Sequence, residues 1–409
     1  MPLSPLKYYF ANGSLSKNIL LCIGGNSDDF LGKCLLEKLL RLCVESAAKG
    51  TGSPPHGGTS PPHPRIYVLL LNNHECGEDS HTNTPTTQIY NQHKERFKHE
   101  LMTSPLFDCV KEKLGQSNPD AFKQLVQDKV HIVQASIVAP FQAKASTIDF
   151  SSIKLNIPSK DDAQMLKKNT HVVIHCASHH SRLMLDDPSA SINSKLQKPL
   201  VADFSSMARS FIFNILGSLQ LLNLSKDFSQ LESFCYVSSC FVNCDKKSGS
   251  FVREELYTLR LPRNQTLESF VEEVVAHDRG NQKPGIQSTS STSLLFKSSA
   301  QILNALHFPN SYTLSKRITE LLINKYRGDT PVAIVRPSII GASEREPIRG
   351  WIDPQNVSAQ SFGSASIYLL VGMGMIRVIP GNSEALSDQI PVDFVVNSTL
   401  VATTAVAKK

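Results

Sequence analysis

The sequence predicts an α/β fold, doubly wound, with a parallel sheet covered by helices on both faces. Short apolar runs of strand length recur at Asn18–Ile23, Ile66–Leu71, Val130–Val133, His171–His175, Ser233–Val237 and Pro331–Val335. Segments with helical periodicity separate them, among them Phe30–Leu42, Ser210–Leu224 and Ser315–Tyr326. Continuously apolar strands alternating with helices argue for a sheet buried on both sides. A ligand of such a sheet binds outside the carboxyl ends of its strands.

Residues 1–14, MPLSPLKYYFANGS, form an amino-terminal tail without the charged start and apolar centre of a signal peptide. The first strand then runs into the turn Gly24-Gly25-Asn26-Ser27-Asp28-Asp29. The helix that follows places Leu31, Leu35, Leu36, Leu39 and Leu40 on one stripe. Residues 50–64, GTGSPPHGGTSPPHP, have no large apolar side chain to pack and read as a polar surface insertion. A second insertion spans 280–299. The most apolar stretch, Ile367–Ile376, is well short of the roughly 20 residues a membrane span needs.

Length and charge narrow the function classes. The 409 residues include 42 Lys plus Arg against 36 Asp plus Glu, with 41% hydrophobic residues, and their +6 balance is spread without a basic block. That spread argues against nucleic acid as a partner. The nine cysteines lack the paired spacing of a zinc site, so no metal is expected and free thiols in a reducing, intracellular compartment fit best. Cys235, Cys240 and Cys244 read as small buried hydrophobes, and His179-His180 as a loop, since no third ligand is spaced with them.

Chemistry concentrates in two tracts. In Asn310-Ser-Tyr-Thr-Leu-Ser-Lys316, Tyr312 and Lys316 lie four apart on one helix face. Lys316 is expected to lower the phenol pKa from about 10, so that Tyr312 exchanges protons near neutrality; the alternative is an ordinary surface pair. In Tyr236-Val-Ser-Ser-Cys240 a buried strand ends in two hydroxyls where the sheet presents its crevice. Ser239 there orients a substrate carbonyl or, more plainly, caps the following loop.

These tracts, with Phe30-Leu-Gly-Lys33, Val173-Ile-His-Cys-Ala177, Val332-Ala-Ile-Val-Arg-Pro-Ser338, Gly350-Trp-Ile-Asp353 and Ile390-Pro-Val-Asp393, occur in the order found in one family. Over roughly residues 15–400 the chain resembles the fatty acyl-CoA reductases, of the extended short-chain dehydrogenase type. The resemblance implies a Rossmann-like reductase domain over 15–405 that binds NADPH, with NADH as the other nicotinamide to consider. It implies reduction of a long-chain acyl-CoA to a fatty aldehyde or primary alcohol, as in wax or ether lipid biosynthesis. Tyr312 would be the general acid, Lys316 would tune it and hold the nicotinamide ribose, Ser239 would orient the carbonyl, and Asn214 would support the lysine. The cofactor-binding positions it implies are Gly24, Gly25, Asn26, Phe30, Leu31, Ala177, Val237, Tyr312, Lys316, Pro337, Ser338 and Ile339. The family's carboxyl-terminal helical region is expected to be absent, and membrane association, peroxisomal or at the endoplasmic reticulum, would run through that region.

The turn after the first strand departs from the family's Thr-Gly-x-x-Gly-x-x-Gly. Its middle glycine is missing, and Asp28 and Asp29 stand where a dianion is expected. A carboxylate about 4 Å from one phosphate charge costs about 4 kcal/mol at an effective dielectric of roughly 20. Alternatively one of the two caps the helix and takes the N–H groups a phosphate uses. The arginine expected after the second strand is replaced by Leu70-Leu71-Asn72-Asn73, and the Gly-Asp after the third by Ala135-Ser136. Two other readings therefore stand beside the reductase: a catalytically silent homologue that binds acyl chains or a partner protein, and a reductase of sterol or sugar-nucleotide carbonyls.

Overall fold

The computed structural model describes residues 17–24, 29–49, 64–72, 86–115, 120–138, 148–179, 204–247, 249–262, 265–281, 298–353, 364–378 and 386–407, with 382 and 384. The tail, Gly25, Asn26, Asp28, His180 and nearly all of both insertions lie outside them. At the edges of the second insertion the chain is helical: one helix, Leu267–Asn281, runs into it and another, Ser299–Leu306, leaves it behind a Ser298 cap.

Six strands form one sheet: β1 (Ile19–Gly24), β2 (Ile66–Asn72), β3 (Val130–Ser136), β4 (Val172–His175), β5 (Ser233–Val237) and β6 (Val332–Val335). Their order is β3-β2-β1-β4-β5-β6, and every pairing is parallel. This is the Rossmann order, with its topological switch between β1 and β4, where the crevice for a ligand opens. A small parallel pair, β7 (Ile339–Gly341) and β8 (Gln389–Pro391), stands apart from that sheet.

Strand alternation sorts the core into two layers. Leu20, Cys22, Tyr67, Leu69 and Leu71 face one layer, which the helices Phe204–Ser210, Gly217–Ser225, Leu267–Asn281 and Ser311–Tyr326 complete. Ile19, Leu21, Ile23, Val68 and Leu70 face the other, under the first helix, Phe30–Lys49, and the helix Val392–Ala407. The periodicity that predicts one helix over Ser210–Leu224 holds only in part. Phe211–Leu216 is a π-helical turn between two α-helical segments, a local widening often found beside functional sites.

Two of the family tracts prove to be anchors for the loop over the first helix. Asp393 opens the helix Val392–Ala407 and accepts hydrogen bonds from the Glu344, Arg345 and Glu346 N–H groups at 2.9, 3.0 and 3.3 Å. Asp353 pairs with the buried Lys33, which also meets Glu100 at 2.6 Å. The Trp351 ring lies 5.6 Å from that of Phe30. Gly350-Trp-Ile-Asp353 is thereby clamped to the first helix.

Candidate active site

The helix Ser311–Tyr326 begins at an Asn310 cap whose side chain accepts from the Thr313 N–H at 2.9 Å. That start sets Tyr312 and Lys316 on the turn nearest the carboxyl ends of β4 and β5. The Lys316 side chain is fully buried, and its Nζ donates to the Val237 carbonyl at 2.9 Å. It also lies over the Tyr236 ring, 4.7 Å from the centroid, and 5.8 Å from that of Tyr312. Burial pulls its pKa down from 10.5 to about 8.

The expected lowering of the Tyr312 pKa is not what the structure gives. Burial is the largest influence on the phenol and raises its pKa above 10, with the Asp29 charge adding to the rise; a hydrogen bond with Ser178 opposes it without reversing it. Desolvation disfavours the charged form of a buried phenol. Tyr312 is therefore a protonated phenol at neutral pH, the form that donates.

Asn214 also departs from its expected place. It lies in the π-helical turn, where its Oδ1 accepts from the His179 N–H at 2.7 Å and its Nδ2 donates to the His179 carbonyl at 3.0 Å and the Ser315 Oγ at 2.8 Å. Among the described residues it ties the loop after β4 to the Tyr312 helix and does not reach the Lys316 ammonium. Ser239 sits at the end of β5 as expected. Its Oγ accepts from the Phe241 N–H at 3.3 Å, capping the turn Cys240–Asn243, a contact that leaves its O–H to donate. That turn is held against the Tyr312 helix by Arg317, which donates to Asn243.

One hydroxyl in this region escaped the sequence reading. Ser178 lies three residues beyond the end of β4 and meets Tyr312; a hydroxyl shortly after a buried strand is the signal that marks it. The buried Ser238 hydroxyl has no hydrogen-bond partner among the described residues, and strand alternation puts it on the Tyr236 side of the sheet.

At the first turn Asp29 is the cap. Its Oδ1 accepts from the Gly32 N–H at 2.8 Å and its Oδ2 from the Gly24 N–H at 3.4 Å. Burial raises its pKa, against the pull of those two N–H groups, of the Cys176 thiol and of Lys33. Phe30 and Leu31, expected beside a cofactor, have their side chains packed in the core. Ala177 is buried with its N–H on the Cys22 carbonyl, and the Pro337 carbonyl accepts from Cys240. Ser338 is partly exposed and Ile339 opens β7 at 43% exposure. Asn72, where an arginine is expected, is buried and meets His93 at 3.0 Å.

The residues fit a nicotinamide cofactor at one end of the crevice and not at the other. At the β4–β5 end, buried hydroxyls and an ammonium converge. At the β1 end, the Asp29 carboxylate already caps the helix amino terminus at which a pyrophosphate binds.

Residues 201–399 match an NAD-binding family described as male sterility protein. Fatty acyl-CoA reductase 1 of Xenopus laevis is 26% identical over 388 residues, covering 94% of this chain and 54% of its own length. The chain is similar to the fatty acyl-CoA reductases. The Homo sapiens reductase 1 is 25% identical with the same coverage, and reductase 2 of Mus musculus is 25% identical over 393 residues, 94% of this chain and 54% of its own. The chain thus spans about half the length of the curated relatives it matches. Among solved structures, the terminal R domain of the myxalamid pathway aligns with 95% of this chain and 62% of its own at 15% identity, with a TM-score of 0.43. That likeness is too loose to bear on the site, and the fold assignment rests on strand order. Among the described residues no helix is long and apolar enough to cross a membrane. The eight described cysteines are all free.

Proposed function

We propose that this chain is the reductase domain of an NAD(P)H-dependent fatty acyl-CoA reductase, taking a long-chain acyl-CoA to the aldehyde and onward to the primary alcohol, with NADPH as the working cofactor. The observation that carries this reading is Lys316, an ammonium buried at the carboxyl end of β5, held on the Val237 carbonyl one helical turn from Tyr312. A buried lysine this costly to charge is retained where chemistry needs it. When bound, a reduced nicotinamide would supply one hydride to each of the two steps, two per alcohol formed, with coenzyme A leaving as its thiol in the first. Tyr312, kept as a phenol by burial, donates its proton to the oxygen of the reduced carbonyl, and Ser178 and Ser239 are the hydroxyls available to hold that oxygen. Asn214 is a positioning residue that fixes the β4 loop against the Tyr312 helix.

Steady-state oxidation of NADPH in the presence of palmitoyl-CoA tests the reading. Turnover is expected, and Tyr312→Phe is expected to abolish it without lowering the melting temperature. A folded chain that turns over neither NADPH nor NADH refutes it. The catalytically silent homologue is the second reading, favoured by Asp29 on the Gly24 and Gly32 N–H groups; it predicts no NADPH binding in a calorimetric titration.

A further inference from the structure

The N–H groups of Gly24 and Gly32 flank the switch point of the sheet, and both point at one carboxylate, that of Asp29. The Cys176 thiol lies within reach of the same carboxylate and of the Cys22 carbonyl at 3.2 Å. Gly32 has no room for anything larger, since a Cβ there would meet Ile23 Cγ2 at 2.3 Å. Asp29 therefore caps the helix in a tightly packed corner, and its charge is felt across the crevice by Tyr312 and Lys316. Such a carboxylate has the sign, the hydrogen-bond role and the position of one phosphate group.

We propose that Asp29 is an internal substitute for the cofactor pyrophosphate, so that a dinucleotide enters only by displacing its carboxylate from the Gly24 and Gly32 N–H groups, and that this exchange sets cofactor affinity. The inference rests on the reductase reading and deepens it. Because the pyrophosphate is common to both nicotinamide cofactors, the cost applies equally to NADPH and NADH. Repulsion between the displaced carboxylate and the incoming dianion is greatest when Asp29 is ionised, and a protonated Asp29 yields its place without it.

The other groups facing Asp29 are accounted for. On β1 the Cys22 thiol is held protonated by burial, as are Cys34 on the first helix and Cys176 after β4. On the first helix Lys33 stays charged in its pairing with Asp353 and Glu100. On the Ser311–Tyr326 helix Tyr312 stays neutral and Lys316, at about 8, is charged below neutrality. His175 beneath them is pulled down to about 3 and is neutral throughout. Asp29 is thus the acidic group of this set, and burial raises its pKa.

Asp29→Asn tests this, because asparagine caps helices as well as aspartate, keeps one oxygen for the Gly32 N–H, and removes the charge together with the weaker contact to Gly24. Calorimetric titration of NADPH, and separately of NADH, into the chain and into D29N at pH 7.5 is expected to show at least tenfold tighter binding by the variant, with the same factor for both cofactors. Equal or weaker binding by a variant with unchanged melting temperature overturns the inference and leaves the reductase reading intact. Absence of binding by both proteins overturns that reading, and the inference with it. Should D29N not fold, Asp29→Ser, a second uncharged helix cap, is titrated in the same way and read by the same outcomes.

Discussion

Replacing Lys316 with methionine is expected to remove turnover while making the fold more stable at neutral pH. Its pKa falls from 10.5 to about 8 on folding, and at about 1.4 kcal/mol per unit the buried charge costs about 3 kcal/mol. Methionine fills nearly the same unbranched volume without that charge. It leaves the Val237 carbonyl, now 2.9 Å from Nζ, without this donor, a loss of about 1–2 kcal/mol. The net gain at pH 7 is therefore about 1–2 kcal/mol.

The pH dependence follows from the sign of the shift. The folded-state pKa lies below the unfolded one, so the cost is present in full below about pH 8 and fades as the pH rises toward 10.5. By pH 9.5 about 2 kcal/mol of it has gone. Urea unfolding of both proteins at pH 7.0 and 9.5 measures this as a difference. The buried thiols of Cys22, Cys34 and Cys176, whose pKa values are raised, weaken both proteins alike in alkali and cancel. A variant less stable than the parent at pH 7, or a difference that stays constant to pH 9.5, refutes the assignment of Lys316 as a residue held at the expense of stability.

Three further outcomes are expected. Asp393→Ala releases three N–H groups of the Glu344–Glu346 segment and is expected to cost on the order of 2–4 kcal/mol in urea unfolding. Glu320→Gln leaves the Arg336 guanidinium without its bidentate partner, now at 2.6 and 2.9 Å. The expected loss is about 3–5 kcal/mol, and the double variant with Arg336→Met is expected to recover part of it, a coupling that a double-mutant cycle reads. Arg41 and Lys38 hold the Glu346 carboxyl down to about 2. Its contribution is present above its ordinary pKa of 4.5 and is lost as the pH falls toward 2, so Glu346→Gln is expected to flatten that part of an acid-unfolding curve.

Much of this was legible in residue order alone. Buried parallel strands carry apolar residues on both faces, so runs such as Ile66–Leu71 declare themselves without reference to their neighbours. The Tyr-x-x-x-Lys spacing is likewise local, because a helix places residues four apart on one face wherever it lies. Phosphate-turn chemistry is local too: with Asp29 one residue before the helix, capping was already an alternative to a binding site.

What the tertiary structure alone decided are the quantities set by distant neighbours. Charge states belong to this class: Tyr312 stays a phenol because desolvation outweighs the Ser178 hydrogen bond, and burial depends on elements more than a hundred residues away. Asn214 turned out to clamp His179 and Ser315, a contact that exists only once the π-helical turn lies against the Tyr312 helix. Ser178 became visible, and Ser238 proved to lack a partner among the described residues, only when the ends of β4 and β5 were brought side by side. Spacing along the chain specifies which faces are apolar and which residues share a helix turn; solvent exclusion and cross-sheet distances, which govern acidity and hydrogen bonding, are created by the packing.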